Sequence, residues 1–401
     1  MSFSNLPTEL LFMICEKLES VNELVQLSSC SKRLNFICKE VKYDKLSEIK
    51  SIDKHVHESI IKFNKHIKIK LNLKYQTISD VSMIGNVHML ILSNCYNFID
   101  VSNLGRLHTL DLTYCNVTDV SKLGNVHTLN LTGCFYISDF SKLGNVHNLN
   151  LSECSNISDV SKLGNVHTLN LSWCQNITDV SKLGNVHNLN LTGCNGITDV
   201  SNLGNVHTLI LSDCQNITDV SNLGTVHTLH LFRSNVSDVS NLGNVHTLNL
   251  SFCKNIRSVY GLRNVHTLDL TRCREIINVS NLGNCRNLNL SECNKITDVS
   301  MLGSVYKLNL SWCHRVTDIS MLGNVHTLNL SWCENIIDFS SLCNNKILNL
   351  TGCKISDLSN LVNVDTLNIT CCKNVKDVSM LGNVHTLNIH GCFNLENITS
   401  T

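Results

Sequence analysis

The residues with most chemical potential in this sequence are 21 cysteines and 18 histidines, in a chain of 401 residues. Cysteine can serve as a nucleophile, a redox couple or a soft metal ligand, and histidine as a proton carrier or ligand. Each of those chemistries needs side chains that converge on one point. The spacing here is of another kind. Fifteen cysteines, from Cys95 to Cys392, are separated by 19, 20 or 39 residues, and Gln76 and Ser234 stand at two equivalent places. Twelve histidines, from His88 to His385, sit two residues before a leucine of each unit. Side chains repeated at a constant step point the same way. Such a ladder gives neither disulfides nor the three or four converging ligands of a zinc site. No metal or other cofactor is implied. The histidine row reads as a stacked edge whose imidazoles hydrogen-bond loop groups.

The step itself defines the elements. Val166-His-Thr-Leu169-Asn-Leu171-Ser-Trp-Cys174-Gln-Asn-Ile177-Thr-Asp179-Val180-Ser-Lys-Leu183-Gly184-Asn185 returns almost unchanged at Val186, Val206 and Val226. The period is 20, with 19 in three places, and about 17 repeats run from Leu71 onward. The short repeats lose one residue near Asn116, Asn235 and Lys354, which marks a loop. Leu169 and Leu171 alternate with Thr168, Asn170 and Ser172, the period of a short strand. One strand per repeat cannot make hairpins, so successive strands must stack as a parallel sheet, roughly 4.8 Å apart. Val166, Leu169, Leu171, Ile177, Val180 and Leu183 then point into one core. Gly184-Asn185 is expected to turn the chain back. Asp179 to Leu183 has room for one turn of helix or a 3-10 piece.

The unit V-x-x-L-x-L-x-x-C-x-x-I resembles the leucine-rich repeat in its cysteine-containing form. The resemblance implies an α/β-type solenoid, a parallel-sheet arc of repeats. It also implies that the cysteine turns the chain out of the strand and hydrogen-bonds backbone groups in the bend, as a small buried residue.

Residues 1–43 do not repeat. Leu10, Leu11, Ile14 and Leu18 have helical spacing, and Pro7, the only proline of the chain, suits the first turn of that helix. Two shorter helices read over Glu23 to Ser28 and Ser31 to Lys39. The module is a small all-α bundle, and Leu6, Pro7, Leu10, Leu11, Ile14, Leu18, Leu24, Leu27 and Leu34 resemble the F-box. Leu34 stands where tryptophan is frequent in that family. The resemblance implies that these nine residues bind the Skp-type adaptor of a Skp–cullin–F-box ubiquitin ligase. Residues 44–70 then form a linker and capping helix, helical over about 44–64, before the solenoid of residues 71–401.

In a monotonous array, function is expected where outward positions vary. The position before the ladder cysteine does so. It holds Trp173, Asp213, Arg233, Phe252, Arg272, Glu292, Trp312 and Trp332 among others, including every tryptophan of the chain. Tryptophan and arginine are frequent interface anchors, so these eight are the expected target-binding residues. Repeats between Cys253 and Cys293 depart most from the pattern. Ser258 and Asn278 replace the loop aspartate, Arg286 replaces the histidine, and Arg257, Arg263, Arg272 and Arg274 gather near Asp269 and Glu275. Both an acidic-partner patch and simple degeneration fit that cluster. Lys122, Lys142, Lys162 and Lys182 read as a solvated stripe.

Equal numbers of basic and acidic residues, 32 each, argue against a nucleic-acid partner held by bulk charge. No run of apolar residues is long enough to span a membrane. Leu10 to Ile14 is too short for a signal-peptide core. The expected location is the cytoplasm. The near-identical, Asn- and Ile-rich repeats resemble in style those of giant DNA viruses of amoebae, which would make it a host cytoplasm. A bacterial-type leucine-rich ligase would carry a catalytic domain after the repeats, whereas the last repeat reaches Thr401, so no catalytic residue is expected. The expected function is target recognition for a ubiquitin ligase. The alternative is a repeat scaffold with no ubiquitin link.

Overall fold

A computed structural model describes residues 47–49, 69–75, 81, 87–97 and 100–396. It divides into two compact units at Cys174–Gln175. The first holds β1 (Ser47–Ile49), β2 (Ile69–Asn72), β3 (Met89–Ile91), β4 (Thr109–Asp111), β5 (Thr128–Asn130), β6 (Asn148–Asn150) and β7 (Thr168–Asn170). The second holds β8 (Asn188–Asn190), β9 (Thr208–Ile210), β10 (Thr228–His230), β11 (Thr247–Asn249), β12 (Thr267–Asp269) and β13 (Asn287–Asn289). It continues with β14 (Lys307–Asn309), β15 (Thr327–Asn329), β16 (Ile347–Asn349), β17 (Thr366–Asn368) and β18 (Thr386–Asn388). Within each unit every strand pairs in parallel with the next, and from β2 onward leucine lies opposite leucine, as in Leu129↔Leu149 and Leu308↔Leu328. The expected parallel-sheet solenoid is what forms.

Period two explains the register. In most strands the middle residue is buried and its neighbours are half-exposed, as in β7 and β11. A slip of one residue would turn the leucines outward. Per repeat, the inward set is the predicted one: Val206, Leu209, Leu211, Ile217, Val220 and Leu223 are all buried, and Cys214 with them. Each fully buried leucine or valine contributes about 1.5–3 kcal/mol relative to exposure, so this apolar column is the main stabilising term. The back of each repeat is thin. A three-residue 3-10 turn such as Ser201–Leu203 or Ser320–Leu322 carries the chain across. The aspartate before it anchors the turn: Asp199 and Asp318 accept the N–H of Ser201 and Ser320 at 2.8 and 2.9 Å. That bonding holds both carboxyls below the usual range.

The three short repeats confirm the loop. Val117, Val236 and Ile355 stay buried, and only the second turn after the cysteine position is missing. The deletion is absorbed where no core side chain depends on it.

Two expectations are corrected. The helix over 44–64 does not begin as read: Ser47–Ile49 is a strand, in register with Ile69 to Leu71 of β2. The open edge of a parallel sheet presents unpaired N–H and C=O groups, and pairing with them outweighs a local helical period. The remainder of the linker, and the whole N-terminal module, lie outside the described residues. The repeat glycine also has a different role from the one expected. Gly204 and Gly224 take ordinary right-handed conformations. What they permit is close approach: a Cβ on Gly184 would lie 2.4 Å from the carbonyl oxygen of Asn202 in the next repeat. Stacking, rather than turning, favours glycine here, although Arg263 and Val362 stand at the same place in two repeats.

One repeat breaks its own core. Asn345 occupies the place of the buried valine and is itself 0 % exposed. Its Nδ2 donates to the carbonyls of Leu322 and Val325, but its Oδ1 has no partner. A buried unsatisfied acceptor costs about 1–3 kcal/mol. Asn345→Val, which restores the repeat residue, is therefore expected to raise the melting temperature; a lower melting temperature would show that the amide is structurally required.

Candidate functional site

Three rows of side chains run along each unit, and each has a distinct chemistry. The cysteine row is internal. Every ladder thiol whose partner is seen donates to a backbone carbonyl one repeat earlier, as Cys115 Sγ to Leu92 at 3.0 Å and Cys313 Sγ to Leu290 at 3.1 Å. Ser234 places a hydroxyl in the same bond, 3.1 Å from the Leu211 carbonyl. Burial pushes the thiols up, to about 12 at Cys115 and Cys293 and about 11 at Cys154. A nucleophile or metal ligand must be a thiolate, and these groups are held as thiols. The row is structural, as expected.

The histidine row lies outside. Neighbouring rings stack at 4.4–4.8 Å, for example His88 on His108 and His227 on His246. Where a threonine follows, Nδ1 faces its hydroxyl, at 3.2 Å in His127 and His207. At two places where histidine is lost, a flat group continues the stack: Arg286 lies 4.5 Å over Tyr306, whose ring stacks 4.4 Å from His326. The planes are parallel, so the ring nitrogens do not converge on an ion. Partial desolvation, then the neighbouring imidazoles, lower the affinity of His127, His207 and His246 for a proton.

The third row contains the eight expected target-binding residues, and the structure brings it together in an unexpected way. Trp173, Asp213, Arg233, Phe252, Arg272, Glu292, Trp312 and Trp332 all have positive φ, between 56° and 64°. Each occupies the third position of a tight turn closed by the cysteine N–H, such as Cys313 to the Leu310 carbonyl at 3.1 Å. Glycine or asparagine is the ordinary residue there, and a left-handed L-residue costs about 1–2 kcal/mol. The position is not a place where any side chain is equally tolerated. The sequence signal for this was the recurrence of Gly133, Gly193, Gly352 and Gly391 at the same place.

Much of the row is paired along its length. Trp312 and Trp332 stack at 5.2 Å, and the Trp332 indole lies where a Cβ of Gly352 would be. Arg272 bonds Glu292 at 2.5 Å and covers the Phe252 ring at 4.9 Å. Arg274 reaches the same Glu292 at 3.4 Å, and the arginines hold its carboxyl below the usual range. Arg233 pairs with Asp213 at 3.4 Å. In the first unit Tyr114 passes over Gly133 to donate to Glu153 at 2.7 Å. Trp173 and Trp312 remain 50 % and 42 % exposed. Within each unit the row is a strip of aromatic and paired charged groups at the ends of the strands, interrupted where glycine stands. Sequence reasoning found its members but not the bonds between them.

The strip runs beside half-buried strand amides. Asn130 and Asn309 accept the N–H of Thr132 and Ser311 at 3.1 and 3.0 Å. The lysine stripe is exposed, as expected. Among the described residues no group of three potential metal ligands forms, and no helix is long and apolar enough to cross a membrane.

The comparisons with known proteins fit this geometry. The functional domain of InlJ from Listeria monocytogenes, which includes a cysteine ladder, superposes with a TM-score of 0.53 at 19% identity, covering 79% of this chain and 70% of that one. The repeats have the leucine-rich repeat fold. An internalin, InlF, from the same organism covers 76% of this chain and 87% of its own at 22% identity, with a TM-score of 0.46. A leucine-rich repeat protein of Leptospira interrogans covers 86% and 94% at 14% identity, with a TM-score of 0.44. Residues 3–46 match the F-box domain. No curated protein matches the sequence. An F-box domain followed by leucine-rich repeats joins two interaction modules: one kind binds Skp1-type adaptors, the other binds proteins. The nine expected adaptor-binding residues, Leu6 to Leu34, fall within the matched segment and outside the described residues.

The histidine row has a measurable consequence. Groups that bind protons less readily when folded stabilise the fold above their ordinary value near 6.5 and lose that contribution as pH falls. The loop carboxylates, held below 3.8, act only at lower pH. The melting temperature is expected to fall between pH 7.5 and 5.5. A flat profile over that window would contradict the lowered proton affinity of His127, His207 and His246.

Proposed function

We propose that this chain is the substrate-recognition subunit of a Skp–cullin–F-box ubiquitin ligase, acting in the cytoplasm. The observation that carries the reading is the order of modules: an F-box match at residues 3–46 directly ahead of leucine-rich repeats. The F-box would place Leu6, Pro7, Leu10, Leu11, Ile14, Leu18, Leu24, Leu27 and Leu34 against the adaptor, which in turn binds the cullin. The repeats would hold a protein target, and ubiquitin transfer would be the work of other subunits. The chain performs no chemistry in this scheme.

The target-binding residues are assigned to this row: Trp173 in the first unit, and Asp213, Arg233, Phe252, Arg272, Glu292, Trp312 and Trp332 in the second. Bulky side chains persist there at positions whose backbone favours glycine. A cost of that kind is retained where the side chain has work to do. The stacked tryptophans Trp312 and Trp332 form its most apolar part, suited to the desolvated centre of an interface.

The full chain is expected to bind a eukaryotic Skp-type adaptor in a pull-down, and Leu10→Asp with Leu11→Asp to abolish that binding while the repeats melt unchanged. Trp312→Ala with Trp332→Ala is expected to spare adaptor binding and weaken target capture at least tenfold. If neither wild type nor variant holds the adaptor, the chain is a repeat scaffold without a ubiquitin link.

A further inference from the structure

The repeats are so alike that a cluster of departures is itself a signal. Between Asn255 and Asn264 five residues leave the pattern together: Arg257 for threonine, Ser258 for aspartate, Tyr260 for serine, Gly261 for asparagine or lysine, and Arg263 for glycine. A groove opens at this place, on the side of the 3-10 turns, with a volume of about 940 Å³. The equivalent clefts between regular turns at residues 198–223 and 218–242 measure about 190 and 320 Å³.

Each departure contributes to the groove. Gly261 removes a side chain and seats the Tyr260–Leu262 turn against its neighbour, since a Cβ there would lie 2.2 Å from the Ser240 carbonyl oxygen. Ser258 deletes one carboxylate from a row that between Asp80 and Asp377 is otherwise acidic in every repeat but the next, where Asn278 stands. Arg257 and Arg263 both line the groove. The other arginines of the cluster are committed elsewhere: Arg272 and Arg274 to Glu292, and Arg286 to Tyr306. Glu275, which feels the Arg257 charge, is bonded to Lys295 at 2.8 Å. Among the described residues neither Arg257 nor Arg263 has a salt-bridge partner. The one carboxylate on the lining, Asp238, is turned to the N–H of Ser240 at 2.9 Å. Tyr260 stands 79 % exposed beside them.

We propose that this groove docks an acidic peptide segment of a protein partner, Arg257 and Arg263 pairing with its carboxylates and the Tyr260 ring packing on its side chains. The volume suits several residues of extended chain rather than a single small anion. Two unpaired guanidiniums present the planar forks that carboxylates accept, and an exposed tyrosine between them supplies apolar contact. This deepens the target-binding half of the function proposed above and is independent of the adaptor, so each can fail alone.

The test uses the full chain with fluorescent hexaglutamate, hexalysine, inorganic phosphate and oligothymidylate as probes. Hexaglutamate is expected to bind best, with an affinity that falls as salt rises. Arg257→Thr with Arg263→Gly restores the repeat's own residues and so preserves the fold. It is expected to weaken hexaglutamate at least tenfold, whereas Arg274→Ala, outside the groove, leaves binding unchanged. Equal affinity of wild type and the double reversion would overturn the proposal. So would tighter binding of hexalysine, binding of phosphate as tight as the peptide, or a preference for oligothymidylate.

Discussion

The hydrogen-bonded step from one three-residue strand to the next is the constraint on which the rest of the structure depends. A strand of this length has no stability of its own, and a single repeat leaves its leucines half uncovered. Stacking supplies both the ladder bonds and the apolar column, so each repeat is stable only through its neighbours. The repeated side chains serve that step. Glycine lets the turns approach, aspartate closes the 3-10 turn, and the thiol reaches back to the preceding repeat's carbonyl. A hydrogen bond of this kind contributes about 1 kcal/mol or less, small beside the buried leucines. Its part is to fix the bend by which the chain leaves the strand.

That division of labour explains where function can reside. Core and stacking positions tolerate little change, and they have hardly changed. The left-handed turn position and the face of the 3-10 turns are free of the stacking constraint, and there the repeats differ. At the turn position the differences are matched to one another: an arginine meets a glutamate, a tryptophan meets a tryptophan or a glycine. Around Arg257 and Arg263 they are matched in another sense, since charge reversal, a lost side chain and an enlarged groove occur together. The F-box match at the N-terminus places both surfaces on a chain whose two modules are of the protein-binding kind.

Most of the fold was legible in the sequence, because the alternation of Leu169 and Leu171 with polar residues and a period of 20 admit one architecture. The loop of the short repeats was legible from the deletions alone. Three things were not. Backbone handedness at Trp312 or Arg272 is hidden when bulky residues stand where glycine is usual. The strand at Ser47–Ile49 owes its conformation to the edge it covers, so its helical spacing misled. The split of the arginine cluster, with Arg272 and Arg274 consumed by Glu292 while Arg257 and Arg263 face a groove, depends on which turn each occupies.

The stack rests on the claim that the ladder thiols are sealed within it as hydrogen-bond donors. Native-state alkylation read cysteine by cysteine by mass spectrometry measures this most directly. Among the described residues Cys343 and Cys371 are the partly exposed thiols, and of these cysteines they should be modified first. The buried ladder from Cys134 to Cys372 should react only when the protein unfolds, and over a single denaturant range within each unit. Alkylation of those ladder thiols in the native protein at the rate of Cys343 would contradict the account.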